Sequence, residues 1–81
     1  MAAVAADNLM VENPMSGVEG AFLPMHMLCL RDMGLMLGEY WNLNELAADC
    51  AADGRYAFLL VAPPLPVTRG VGTPINPYAL K

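Results

Sequence analysis

Polar and apolar positions alternate early in the chain, where Leu9 and Val11 are set against Asn8, Met10 and Glu12. This period of two, after a run of small and β-branched residues around Asp7, predicts a strand over about residues 4–11. "NPMSGVEGA" then supplies Pro, Ser and Gly and predicts a loop through Ala21. Beyond it the period lengthens. Leu23, Met27 and Leu30 recur at spacings of four and three, with Arg31 and Asp32 toward the other side. Pro24 suits a first helical turn and Gly34 the position past the last, so a helix of about ten residues is expected between them. His26, four before Leu30, falls at the edge of its buried face. "LMLGEYW" follows as a short strand that holds Glu39.

The next segment carries its own start and stop signals. Asn42 is the expected N-cap, Glu45 completes a capping box, and Trp41 and Leu46 form a hydrophobic staple. Ala47, Ala48, Ala51 and Ala52 favour helix, and Gly54 ends it. "RYAFLLVA" is continuously apolar, the pattern of a central strand buried on both faces. "PPLP" stops pairing because proline has no N–H to donate, and the Gly-containing tail is expected to turn. The sum is a mixed α/β chain with two helices and three to four strands.

Composition changes this picture in one respect. Of 81 residues 57% are hydrophobic and only 15% charged, against roughly 25% charged in an average soluble domain. A domain this small buries only about two thirds of its unfolded surface. Exposed apolar surface is therefore expected, and with it association, as a homo-oligomer or against another segment. The net charge of −4 comes with four scattered bases, Arg31, Arg55, Arg69 and Lys81, which excludes the basic stripe that nucleic acid requires. Residues 22–41 are apolar enough to suggest a membrane span, but His26, Arg31, Asp32 and Glu39 interrupt them, and no signal-peptide pattern opens the chain. Cys29 and Cys50, 21 apart, read as buried reduced thiols and suggest a cytoplasmic setting.

Candidate chemistry is sparse. The sole serine, Ser16, lies in no nucleophile motif. "RGVGTP" lacks the Lys and the following helix of a phosphate loop. Cys29 stands one helical turn from the only histidine, His26, without a third group to orient the pair. His26 and Glu39, on adjacent helix and strand, could contribute to a metal site with Asp7 as a possible third group, although such sites need three or four protein ligands. The structural alternative is a His26 satisfied by a backbone carbonyl and a Glu39 paired with Arg31, since an unpaired carboxylate in apolar surroundings is costly.

Three blocks in order, "HMLCLRDMGLMLGE", "WNLNELAADCAADGRYAFLLVAPPLPV" and "GVGTPINPYALK", resemble the last third of the cyclase family. Those metal-dependent hydrolases include bacterial kynurenine formamidases and isatin hydrolases. The resemblance runs over residues 7–81. It implies the C-terminal part of a swivelling β/β/α fold, within a single cyclase-like domain. It also implies a divalent metal, zinc or manganese, that activates water against an amide, formamide or lactam bond of a small-molecule substrate. By position His26 matches a family histidine that is a metal ligand or proton-transfer group, and Glu39 matches the late metal ligand. Met27 and Thr73 depart from the family pattern, the first where a basic or polar residue is usual and the second where Ser is commoner. The ligand-rich segment His-x-Gly-Thr-His-x-Asp-x-Pro does not occur in these residues. A fragment is therefore expected, weak in metal binding and catalytically silent alone. The alternative is a stand-alone interaction or dimerisation module derived from that fold.

Overall fold

The computed structural model describes residues 1–15 and 17–81; Ser16, expected in the loop before the first helix, lies outside them. The chain is mixed α/β and divides into two compact units, Met1–Leu43 and Asn44–Lys81.

The first unit is built on a parallel strand pair. Strand β1, Ala3–Ala5, pairs with β2, Met36–Gly38, in the register Ala3↔Met36, Val4↔Leu37 and Ala5↔Gly38. Parallel strands cannot be joined by a tight turn and need a crossover. Here the crossover contains helix α1, which opens as an α turn at Pro24–His26 and continues as a π-helix over Met27–Asp32. Gly34 follows in the left-handed region at φ 65°, as its position past the helix end requires.

Three expectations are corrected in this unit. The first strand ends at Ala5 rather than Val11; beyond it the chain bends, keeping single backbone bonds from Ala6 N–H to Gly38 (3.0 Å) and from Tyr40 N–H to Asn8 (2.9 Å). The second strand ends at Gly38, so Glu39 lies just past it. The helix does not bury Met27 and Leu30, which are exposed; its buried member is Cys29, whose carbonyl accepts from the N–H of the buried Leu35 at 2.7 Å. The cause is the wider winding. Met33 N–H bonds to Leu28, five residues back, and a helix with an i→i+5 ladder does not keep the side-chain period of an α-helix.

In the second unit α2 spans Asn44–Asp53 and begins one residue later than the capping pattern implied; Glu45 lies in its first turn. Gly54 ends it at φ 68°. Strand β3, Leu59–Val61, pairs antiparallel with β4, Tyr78–Leu80, in the register Leu59↔Leu80 and Val61↔Tyr78. The apolar run was expected to be a central strand buried on both faces, but all three β3 residues are exposed. Burial of a strand comes from its neighbours, and among the described residues β4 is the only strand beside it. Strand β4 itself was not foreseen in the tail.

The second unit is fastened by its last residue. Lys81 Nζ reaches Asp49 (2.6 Å) and Asp53 (3.0 Å) on α2 and lies 3.7 Å from the buried Cys50 sulfur. Both cysteines are buried and free. Among the described residues no helix is long and apolar enough to cross a membrane.

Candidate metal-site residues

The site forms beyond the C-terminal ends of β1 and β2, the end of parallel strands at which ligands commonly bind in α/β folds. Glu39 is placed by its neighbour. Tyr40 adopts φ 58°, a left-handed conformation that is an outlier for a bulky residue, and it turns the chain directly after Glu39. Glu39 Oε1 accepts a hydrogen bond from Val11 N–H at 3.0 Å and lies 3.1 Å from His26 Nε2. The expected partner of Glu39, Arg31, instead pairs with its neighbour Asp32 at 2.5 Å, in the open.

On the other side of the imidazole, Nδ1 lies 2.5 Å from Glu12 Oε1. Glu12 also accepts from His26 N–H at 2.8 Å and from Met25 N–H at 2.9 Å. Its side chain is 3% exposed, against 21% for His26 and 28% for Glu39. Among the described residues no backbone carbonyl satisfies the ring, as the structural alternative supposed; two carboxylates flank it.

The electrostatics follow. Burial pushes the Glu12 carboxyl up, but the hydrogen bonds from the His26 ring, His26 N–H and Met25 N–H outweigh it and hold the group below its ordinary value. The His26 imidazole is raised, first by its bond to Glu12 and then, against the pull of burial, by the charge of Glu39. Two flanking acceptors favour the protonated ring.

The structure thus brings two of the expected residues together. Asp7 is exposed and joins neither. Cys29 is buried on the same helix, and both ring nitrogens of His26 are taken up by carboxylates, so no Cys–His pair forms. Among the described residues no group of three or more His, Cys, Asp or Glu is placed to hold a metal. Glu12 and Glu39 sit on opposite ring nitrogens and cannot share one ion with His26. The donors Nε2 and Glu39 Oε1, 3.1 Å apart, have a spacing that two ligands each about 2.1 Å from an ion can span. They suit part of a donor set, one that needs further ligands.

Glu12 was missed because it reads as the polar end of an alternating strand. A signal did exist: the helix at Pro24 follows Leu23, which has no capping side chain, so its first N–H groups need an acceptor from elsewhere.

No family model and no curated protein matches the chain. A solved structure does. The crystal structure of a protein described as a novel cyclase aligns with TM-score 0.83 and 52% sequence identity, covering 99% of this chain and 25% of that one. The likeness supports the cyclase family. The two helices and four strands among the described residues match a partial cyclase-type fold, and the chain spans a quarter of the length of the cyclase it aligns with.

Proposed function

We propose that this chain supplies late metal-site residues to a cyclase-type, metal-dependent hydrolase of amide, formamide or lactam bonds, of the kynurenine formamidase kind. Glu39 contributes Oε1 as a metal ligand, and His26 presents Nε2 as a ligand or proton-transfer group. The observation that carries the reading is the 3.1 Å approach of these two atoms at the strand ends, within a chain 52% identical to part of a cyclase. A bound zinc or manganese would polarise the scissile carbonyl and lower the pKa of water. The chain's own residues hold Oε1 and Nε2 side by side and keep a proton exchangeable at Nε2. Two donors leave an ion largely hydrated, so tight metal binding and turnover belong to the site completed by further ligands. The free, buried cysteines accord with a reducing, cytoplasmic setting. The exposed apolar residues of β3 and β4 favour association, with a second copy as the simplest partner.

The test is a chimera in which this chain replaces the matching quarter of the cyclase. Bound metal and hydrolysis of a formamide, an amide and a lactam would be measured. Metal retention and turnover of at least one substrate are expected. Glu39→Ala should abolish tight metal retention, and His26→Ala should slow turnover about a hundredfold or more. Full metal and full rate in Glu39→Ala would overturn the proposal.

A further inference from the structure

Glu12 and Glu39 meet the same imidazole through consecutive residues. Val11 N–H bonds to Glu39 Oε1 at 3.0 Å, and the Glu12 carboxylate bonds to the His26 ring. One backbone step therefore sets both sides of the ring.

From this geometry we infer that Glu12 is a positioning residue: its carboxylate holds the Nδ1 proton and the ring orientation, so that Nε2 is the nitrogen turned toward Glu39 and the one open to a metal in place of its proton. The role in metal binding rests on the hydrolase reading above, but the tautomer does not.

Three features carry the inference. The carboxylate is almost fully enclosed, with its side chain 3% exposed, so water does not compete for its lone pairs. Its Oε1 accepts from His26 N–H at 2.8 Å while facing Nδ1 at 2.5 Å, which locks the ring against its own backbone. Three donors converge on it, and an acceptor-only carboxylate favours a proton on Nδ1; Glu39 asks the same of Nε2 only across the longer 3.1 Å contact, with an oxygen that already accepts from Val11 N–H, so Nε2 is the nitrogen that gives up its proton first. A neutral imidazole with Nδ1 protonated leaves Nε2 as the bare nitrogen. Carboxylate partners of this kind fix ring orientation and basicity at metal-binding histidines generally, and their loss costs about 10–100-fold in metal affinity or activity. A residue that only capped the helix would need the bonds to Met25 and His26 N–H and no contact with the ring.

The chain has a single histidine, so ¹⁵N-histidine labelling of the full chain gives one pair of ring signals. At alkaline pH, where the ring is neutral, the wild type should show Nδ1 protonated and Nε2 bare. Glu12→Ala should release the ring to a mixture of tautomers and weaken zinc binding, read by chelator competition, by tenfold or more. Glu12→Gln keeps the size and one acceptor oxygen; it should retain the fold and shift both readouts in the same direction by less. If Glu12→Ala does not fold, Glu12→Gln decides. An unchanged Nδ1–H tautomer in a folded variant overturns the inference. So does unchanged zinc affinity in a chain where Glu39→Ala lowers it. If Glu39→Ala leaves zinc binding unchanged, the metal reading fails, and the tautomer result alone upholds or overturns the role of Glu12.

Discussion

The two helices of this chain solve the same problem in opposite ways. Helix α2 is locally self-sufficient, with Glu45 in its first turn, a run of alanines and Gly54 at its end. Helix α1 has no capping side chain at Leu23, and its first N–H groups are satisfied by Glu12, more than ten residues away in sequence. The difference teaches where chemistry resides. The self-sufficient helix carries none of the site, whereas the helix that borrows its cap acquires with it a buried carboxylate against His26. The units differ in the same sense. The first unit buries a polar network; the second buries Cys50 and ties its end with ion pairs at the surface.

Substitution of glycine should break the comparison most sharply. A Cβ on Gly38 would meet the Trp41 indole at 2.7 Å, whereas one on Gly72 would meet nothing within 4 Å. Gly38→Ala is expected to cost about 1–3 kcal/mol, the usual penalty for overpacking, and Gly72→Ala almost nothing. Chemical denaturation of both variants checks this, and amide exchange should place the Gly38 effect in β1 and β2.

The pH dependence of the two units should differ as well. His26 is raised above its ordinary 6.5, so its contribution is fully present below that pH and lost as pH rises through the folded value. Glu12 is lowered below 4.5, so its contribution is present above that pH and lost as pH falls through the folded value. Together they place the best protection of the first unit between about pH 4.5 and 6.5. In the second unit Lys81 is raised, chiefly by Asp49, and Asp53 is lowered by the Arg55 N–H and then by Lys81. That fastening should hold across neutral pH, weakening only in strong acid or above the ordinary lysine range. Amide exchange followed against pH should separate the two profiles.

Smaller effects sharpen the contrast further. Lys81→Ala should speed exchange of α2 and β4 amides, and high salt should do the same to the wild type, because exposed ion pairs are screened. Exchange in β1 and β2 should be unaffected by the substitution. Least of all, Tyr40→Gly should stabilise the first unit by up to about 1 kcal/mol by relieving the left-handed conformation of an exposed tyrosine. A lowered thermal midpoint would show that the tyrosine side chain contributes more than its backbone strain costs.

The sequence was legible where signals are local. Pro24, Gly34 and Gly54 bound their helices, and His26 Nε2 and Glu39 Oε1 lie 3.1 Å apart. It was illegible where a feature depends on distant partners. The π winding after His26 displaced the buried face to Cys29, and no spacing rule for an α-helix would foresee it. The burial expected for "RYAFLLVA" requires neighbouring strands, and among the described residues β3 has one. Glu12 belonged to neither pattern, because its three donors come from two residues of the helix, Met25 and His26, 13 and 14 residues away.

The measurement that most directly tests the proposed site is anomalous diffraction at the zinc edge from crystals of the chimera described above, grown with zinc. The expected result is an ion bonded to Glu39, with His26 beside it and the Nδ1 contact to Glu12 intact. An ion bound elsewhere, with Glu39 still accepting from Val11 N–H and facing His26 Nε2, would contradict it.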